Sequence, residues 1–100
     1  RAVKVCQSML GYMEDLIALT REESRFVLGA SPRALLALVR ASQARAFLTG
    51  RDYVKPDDVK GVAMQVLLHR LALSSEARIR KVDAAAVLKS LILKVRIPIQ

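Results

Sequence analysis

The stretch "LGASPRALLALVRASQARAFLTG", residues 28–50, carries its own start and stop signals. Ser31 suits an N-cap, Pro32 suits the first helical position, and Gly50 is a natural C-terminal stop, which predicts a helix over 32–48. Arg33 is the oddity. A cation in the first turn faces the positive end of the helix dipole, at a cost of a few tenths to about 1 kcal/mol. An anion at the same place would reverse the sign, because unpaired N–H groups and a bidentate guanidinium then converge on it. Pro32 fixes φ and removes a competing amide, while Gly29 allows close backbone approach. A solvated arginine at a helix start explains the same residue, so the pattern alone leaves phosphate recognition and solvation both open.

Along this helix Leu35, Leu36, Val39, Gln43, Ala46 and Phe47 share the side expected to face the core. Arg33, Ala37, Arg40 and Ala44 share the other, where small residues admit a second surface and Arg40 offers a secondary basic contact. Upstream, Cys6, Met9, Met13, Leu16, Ile17 and Thr20 form the apolar face of a helix of about five turns. Residues 21–25, "REESR", read as a polar connector, and 26–28, "FVL", as a short strand whose expected partner is the β-prone pair Tyr53–Val54. Pro56, with Asp57 and Asp58 beside the dipole, starts a third helix. Its inner face is Val59, Val62, Ala63, Val66, Leu67 and Arg70, and its polar face is Asp58, Gly61, Gln65 and His69. "LALSSEARIRKV" reads as a connector with a solvated basic cluster at 78–81. Asp83 caps a fourth helix with Ala84, Leu88, Leu91, Ile92 and Val95 inward and Pro98 as its end. Four amphipathic helices, each too short to stand alone, predict a mainly all-α bundle: one domain over residues 1–100, with two very short β-prone segments near 26–28 and 53–54.

Seventeen Lys and Arg against nine Asp and Glu give a net charge of +8, which attracts anions without choosing among them. No apolar run approaches the roughly 20 residues of a membrane span, and no secretory signal opens the chain. A single cysteine is compatible with a cytoplasmic setting. The chain opens on "RAVKVCQSML", without an initiator Met, and reads as a piece of something longer. It contains no G-x-x-x-x-G-K-[ST] loop, so it is not expected to hydrolyse nucleotides by itself. Cys6 and His69 are single and far apart: no metal site is expected, Cys6 reads as a buried small hydrophobe and His69 as a surface histidine. Tyr12, Phe26, Phe47 and Tyr53 do not alternate with arginines, which disfavours a base-stacking surface.

"GASPRA" at 29–34, then "GRDYVKPDDV" at 50–59, then "HR" at 69–70, form an ordered set. With it, residues 28–77 resemble the C-terminal lid domain of MoxR-type AAA+ ATPases, a group related to the magnesium chelatase ATPase subunit. The resemblance implies a four-helix lid-type bundle in which Arg33 is the second sensor, contacting the γ-phosphate of ATP, with Gly29, Ala30, Ser31 and Pro32 supporting the helix start. It implies ATP and Mg²⁺ held mainly by a preceding ATPase core, and no catalytic residue in the lid. It further implies a hexameric ring of neighbouring subunits, client remodelling or assembly, and partners with von Willebrand A domains. Whether Arg33 acts on its own subunit's nucleotide or a neighbour's stays open. Lys55 stands where the family usually has a capping Thr or Ser. The alternative is a small basic DNA-binding module of histone-fold type, which has the same order of short helix, longer helix and "DYV". Gly50 stops the central helix too early for it.

Overall fold

A computed structural model describes residues 2–98 of the chain. The first helix, α1, spans Gln7–Glu22 and buries Met9, Tyr12, Met13, Leu16, Ile17 and Thr20, the spacing expected of its apolar face. Cys6 departs from expectation: it is the extended N-cap residue (φ −74°, ψ 164°), outside the helix and exposed. Because α1 begins one residue later than the apolar spacing suggests, the helical periodicity does not apply to it. At the other end α1 takes in Arg21 and Glu22 from the expected connector.

Strand β1, Phe26–Leu28, lies where the sequence puts it, but with a different partner. It pairs antiparallel with β2, Ala72–Leu73, setting Phe26 opposite Leu73 and Leu28 opposite Ala72. Tyr53 instead forms a parallel bridge with Lys4: the Lys4 N–H donates to the Asp52 carbonyl at 2.8 Å and the Val54 N–H to the Lys4 carbonyl at 3.0 Å. The reason is length. The second helix, α2, covers Pro32–Leu48, so about 25 Å of helix carries the chain away from β1 before Tyr53 is reached. The third, α3 (Pro56–Leu67), and a 3₁₀ turn at Leu68–Arg70 bring it back to β2.

The bounds of α2 agree with its start and stop signals, and Gly50 ends it at φ 83°, where a side chain would be strained. The core side is turned from the expected one. Ala34, Leu38, Ser42 and Ala46 are buried, Leu35, Val39 and Gln43 half-buried, while Leu36 and Phe47 are 51 % and 59 % exposed. Small side chains along the inner stripe let α2 lie close to α3, whose buried stripe is Val59, Ala63 and Leu67, and the bulkier residues are left outside. Val62 and Val66 are half-buried and Arg70 is exposed, its Nη1 donating to the Val66 carbonyl at 2.9 Å. His69 is exposed in the 3₁₀ turn.

The expected connector holds, besides β2, a fifth short helix, α4 (Ser75–Ile79), so the described residues form five α-helices rather than four. Ser74 caps it by accepting the Ala77 N–H at 3.1 Å. Asp83 caps α5, Ala84–Lys94, by accepting the Ala85 N–H at 3.0 Å. Here Val87 joins Leu88, Leu91 and Ile92 in the core, and Ala84 is half-buried. The helix stops well short of Pro98, because Val95 turns extended (φ −62°, ψ 134°) and buries its own side chain. One core joins α1, α2, α3 and α5 around Met13, Leu16, Leu38, Val59 and Leu88, with a satellite of Phe26, Val87 and Leu91 under the two strands. No helix among the described residues is long and apolar enough to cross a membrane.

Candidate functional site

The approach to α2 is built against the end of α1. Thr20, wholly buried, donates its hydroxyl to the Ile17 carbonyl at 2.6 Å and accepts the Ala30 N–H at 3.0 Å. Arg21 donates Nε to the Ala30 carbonyl at 2.8 Å. Both polar groups of buried Ala30 are therefore satisfied by two consecutive residues of α1. Gly29 is required for this approach: a Cβ on it would lie 2.7 Å from the Arg21 Cα and 2.9 Å from its N.

Beyond this fixed point Ser31 is the extended N-cap of α2 (φ −84°, ψ 171°), but its hydroxyl makes no capping bond, and the first turn has no acidic residue. Pro32 is at the first position as expected. The Arg33 side chain is exposed and makes no hydrogen bond or ion pair with any described residue. The dipole cost that the sequence predicts for Arg33 is thus uncompensated among the described residues. Arg40 lies seven residues on, about 10 Å along the axis and on the same exposed side. This arrangement fits a phosphate: an uncapped helix start, an unpartnered guanidinium and a second cation on one face. No group of three or more His, Cys, Asp or Glu that could hold a metal ion occurs among the described residues.

The second half of the ordered set does something else. Asp58, expected on a polar face, is wholly buried. Its Oδ1 accepts from Arg51 Nη2 at 2.7 Å; its Oδ2 accepts from Arg51 Nη1 at 2.8 Å and from the Lys55 N–H at 2.7 Å. Arg45 Nε stands 3.7 Å from Oδ1. Burial by itself would raise the carboxyl pKa, but the Arg51 hydrogen bonds, the Lys55 N–H and the Arg51 and Arg45 charges outweigh it and hold the group below its usual value. Arg51 Nη1 also donates to the Tyr53 carbonyl at 2.9 Å, and its guanidinium lies 5.6 Å from the Tyr53 ring centroid. The segment 50–59 is therefore a staple that folds the α2–α3 loop. It also absorbs the unusual Lys55, since Asp58 satisfies the N-cap N–H whatever the side chain there. The third-position acid reaching back to its N-cap is the signal in the sequence that could have found Asp58.

Helices closed on one core, with a stapled hairpin presenting a basic helix start, match a known domain. Residues 18–91 match the AAA lid domain, and the chain belongs to that family. Its kinship within it is with the MoxR proteins. It is 40 % identical over 70 residues to Chaperone MoxR1 of Mycobacterium tuberculosis, covering 70 % of this chain and 19 % of that protein. It is 37 % identical over 98 residues to the uncharacterized protein YeaC of Bacillus subtilis, covering 98 % of this chain and 31 % of YeaC. The crystal structure of a Cytophaga hutchinsonii protein provisionally described as an ATPase superposes with a TM-score of 0.91 at 34 % identity, over 97 % of this chain and 32 % of that one. The chain thus spans a third or less of the length of these relatives.

Proposed function

We propose that this lid is part of a MoxR-type AAA+ ATPase and reads the state of bound ATP through Arg33. The observation that carries the reading is an exposed, unpartnered arginine in the uncapped first turn of a helix whose start is pinned to its neighbour. The ATPase core, outside these 100 residues, holds ATP and Mg²⁺ and supplies the hydrolytic chemistry. Arg33 donates to the γ-phosphate together with the α2 N-terminus, and Gly29, Ala30, Ser31 and Pro32 present it. Arg40, on the same face, is the secondary basic contact. A charge-assisted hydrogen bond made in one nucleotide state and absent in the other is worth about 1.5–3 kcal/mol. That biases a two-state lid position roughly ten- to more than a hundredfold. Hydrolysis removes the contact, the lid rotates as a rigid body, and the motion remodels or assembles a client protein. The word chaperone in the name of MoxR1 supports the last step. The same reading places the protein in the cytoplasm, in a hexameric ring where the lid meets its own core and a neighbouring subunit, with von Willebrand A-domain proteins as partners.

Arg33→Ala tests it. In the full-length protein the substitution is expected to lower ATP turnover or uncouple it from remodelling. In the lid alone, stability should stay within roughly 0.5 kcal/mol, as for other exposed positions. Unchanged turnover and remodelling, or an unfolded lid, would remove Arg33 from the role.

A further inference from the structure

Thr20 has a hydroxyl that packing alone does not require: it is wholly buried, and valine would fill nearly the same volume. Its proton goes to the Ile17 carbonyl, and its remaining lone pair accepts the Ala30 N–H. The next residue along α1 takes the Ala30 carbonyl, and the one before Ala30 is packed so tightly that it has no room for a Cβ. From Ala30 to Arg33 the chain has little freedom left, with Pro32 fixing φ between them. The Arg33 guanidinium has no side-chain partner among the described residues, so within the chain only the backbone from which the side chain springs constrains where it can reach.

We infer that Thr20 is a positioning residue for Arg33, acting through the Ala30 N–H to set where the guanidinium meets phosphate, with Arg21 holding the next peptide through the Ala30 carbonyl. The inference rests on the sensor reading above. With Thr20→Val the buried Ala30 N–H has no acceptor, and the segment must shift to find one. A shift of a fraction of an ångström at Ala30 is carried to the Arg33 backbone, and misplacements of about 1 Å can cost a reaction about a hundredfold in rate.

The test uses the assembled full-length protein and the ratio of its affinities for ADP and for a slowly hydrolysed ATP analogue, since only the latter offers a γ-phosphate. Thr20→Val is expected to lower the preference for the ATP analogue about three- to tenfold, within the range that small misplacements produce. ADP affinity should stay unchanged and Thr20→Ser, which keeps the hydroxyl, should restore the preference. In an Arg33→Ala background Thr20→Val should produce no further loss, because a positioning residue has nothing left to position. Arg21→Met removes the exposed donor to Ala30 and is expected to act in the same direction, which covers a Thr20→Val protein that fails to fold. The inference is overturned if Arg33→Ala abolishes the preference while Thr20→Val and Arg21→Met leave it intact, or if their losses persist in full without Arg33. An Arg33→Ala protein that keeps its preference overturns the sensor reading itself.

Discussion

Asp58→Asn removes a charge and almost no volume, so its effect isolates the electrostatics of the staple. In the native protein Oδ2 receives two donors and Oδ1 one. An asparagine has a single carbonyl oxygen. Turned to keep Lys55 N–H and Arg51 Nη1, it sets its own NH₂ against Arg51 Nη2; turned the other way, it sets the NH₂ against two donors. Breaking a buried ion pair by removing one partner costs about 3–5 kcal/mol. Two hydrogen bonds survive in the better orientation and Arg51 keeps some access to water, so about 2–3 kcal/mol is expected here. At roughly 4–8 °C per kcal/mol for a domain of this size, the melting midpoint falls by about 8–24 °C. The pH dependence adds a second readout. The Asp58 pKa in the folded state lies below the ordinary 3.8, so its contribution is complete above that value and is lost as pH falls through the folded one. Asparagine does not titrate, so the gap between the two proteins should be widest at pH 7 and should close in acid below 3.8. Thermal melts of residues 1–100 followed by circular dichroism, from pH 7 downward, measure both. Midpoints that agree at pH 7, or a gap that keeps its full width in strong acid, would refute the account.

Two further contrasts use urea denaturation of the same chain. Leu38→Ala, at a wholly buried site, should cost about 2–5 kcal/mol, whereas Leu36→Ala, half exposed on the outer side of α2, should stay within about 0.5; equal losses would contradict the orientation of α2. Gly29→Ala should destabilise by about 1–3 kcal/mol, because the new methyl meets Arg21 backbone. Gly61→Ala meets only the tip of the flexible Arg45 side chain and should be neutral or stabilising by up to about 1 kcal/mol through helix propensity; a large loss there would show that Arg45 cannot move aside.

The ends of α2 were legible because Pro32 and Gly50 act locally, through φ alone. Its inward side was not, because Leu, Ala and Val occur nearly all round it and periodicity cannot rank two adjacent apolar stripes; how close α3 comes decides. For β1 the strand was readable and the partner was not, since pairing depends on where two helices return the chain. Arg33 could be singled out because it conflicts with a local rule. Asp58 agrees with that rule, and only the folding back of Arg51 shows that the carboxylate is a buried junction. Thr20 gave no signal either, its partner being ten residues away across a turn.

The segment before α1 is stitched to the far end of the α2–α3 hairpin. Gln43 Nε2 donates to the Val3 carbonyl at 2.8 Å, and Lys4 exchanges two backbone bonds with the loop at Asp52 and Val54. These grips act on a strand-like leader, at the opposite end of α2 from Arg33. A torque arriving from the N-terminal side enters the hairpin with no slack and is felt along the whole lever. A nucleotide-binding domain attached on that side would pull on the lid through these three hydrogen bonds, at the end of α2 away from Arg33.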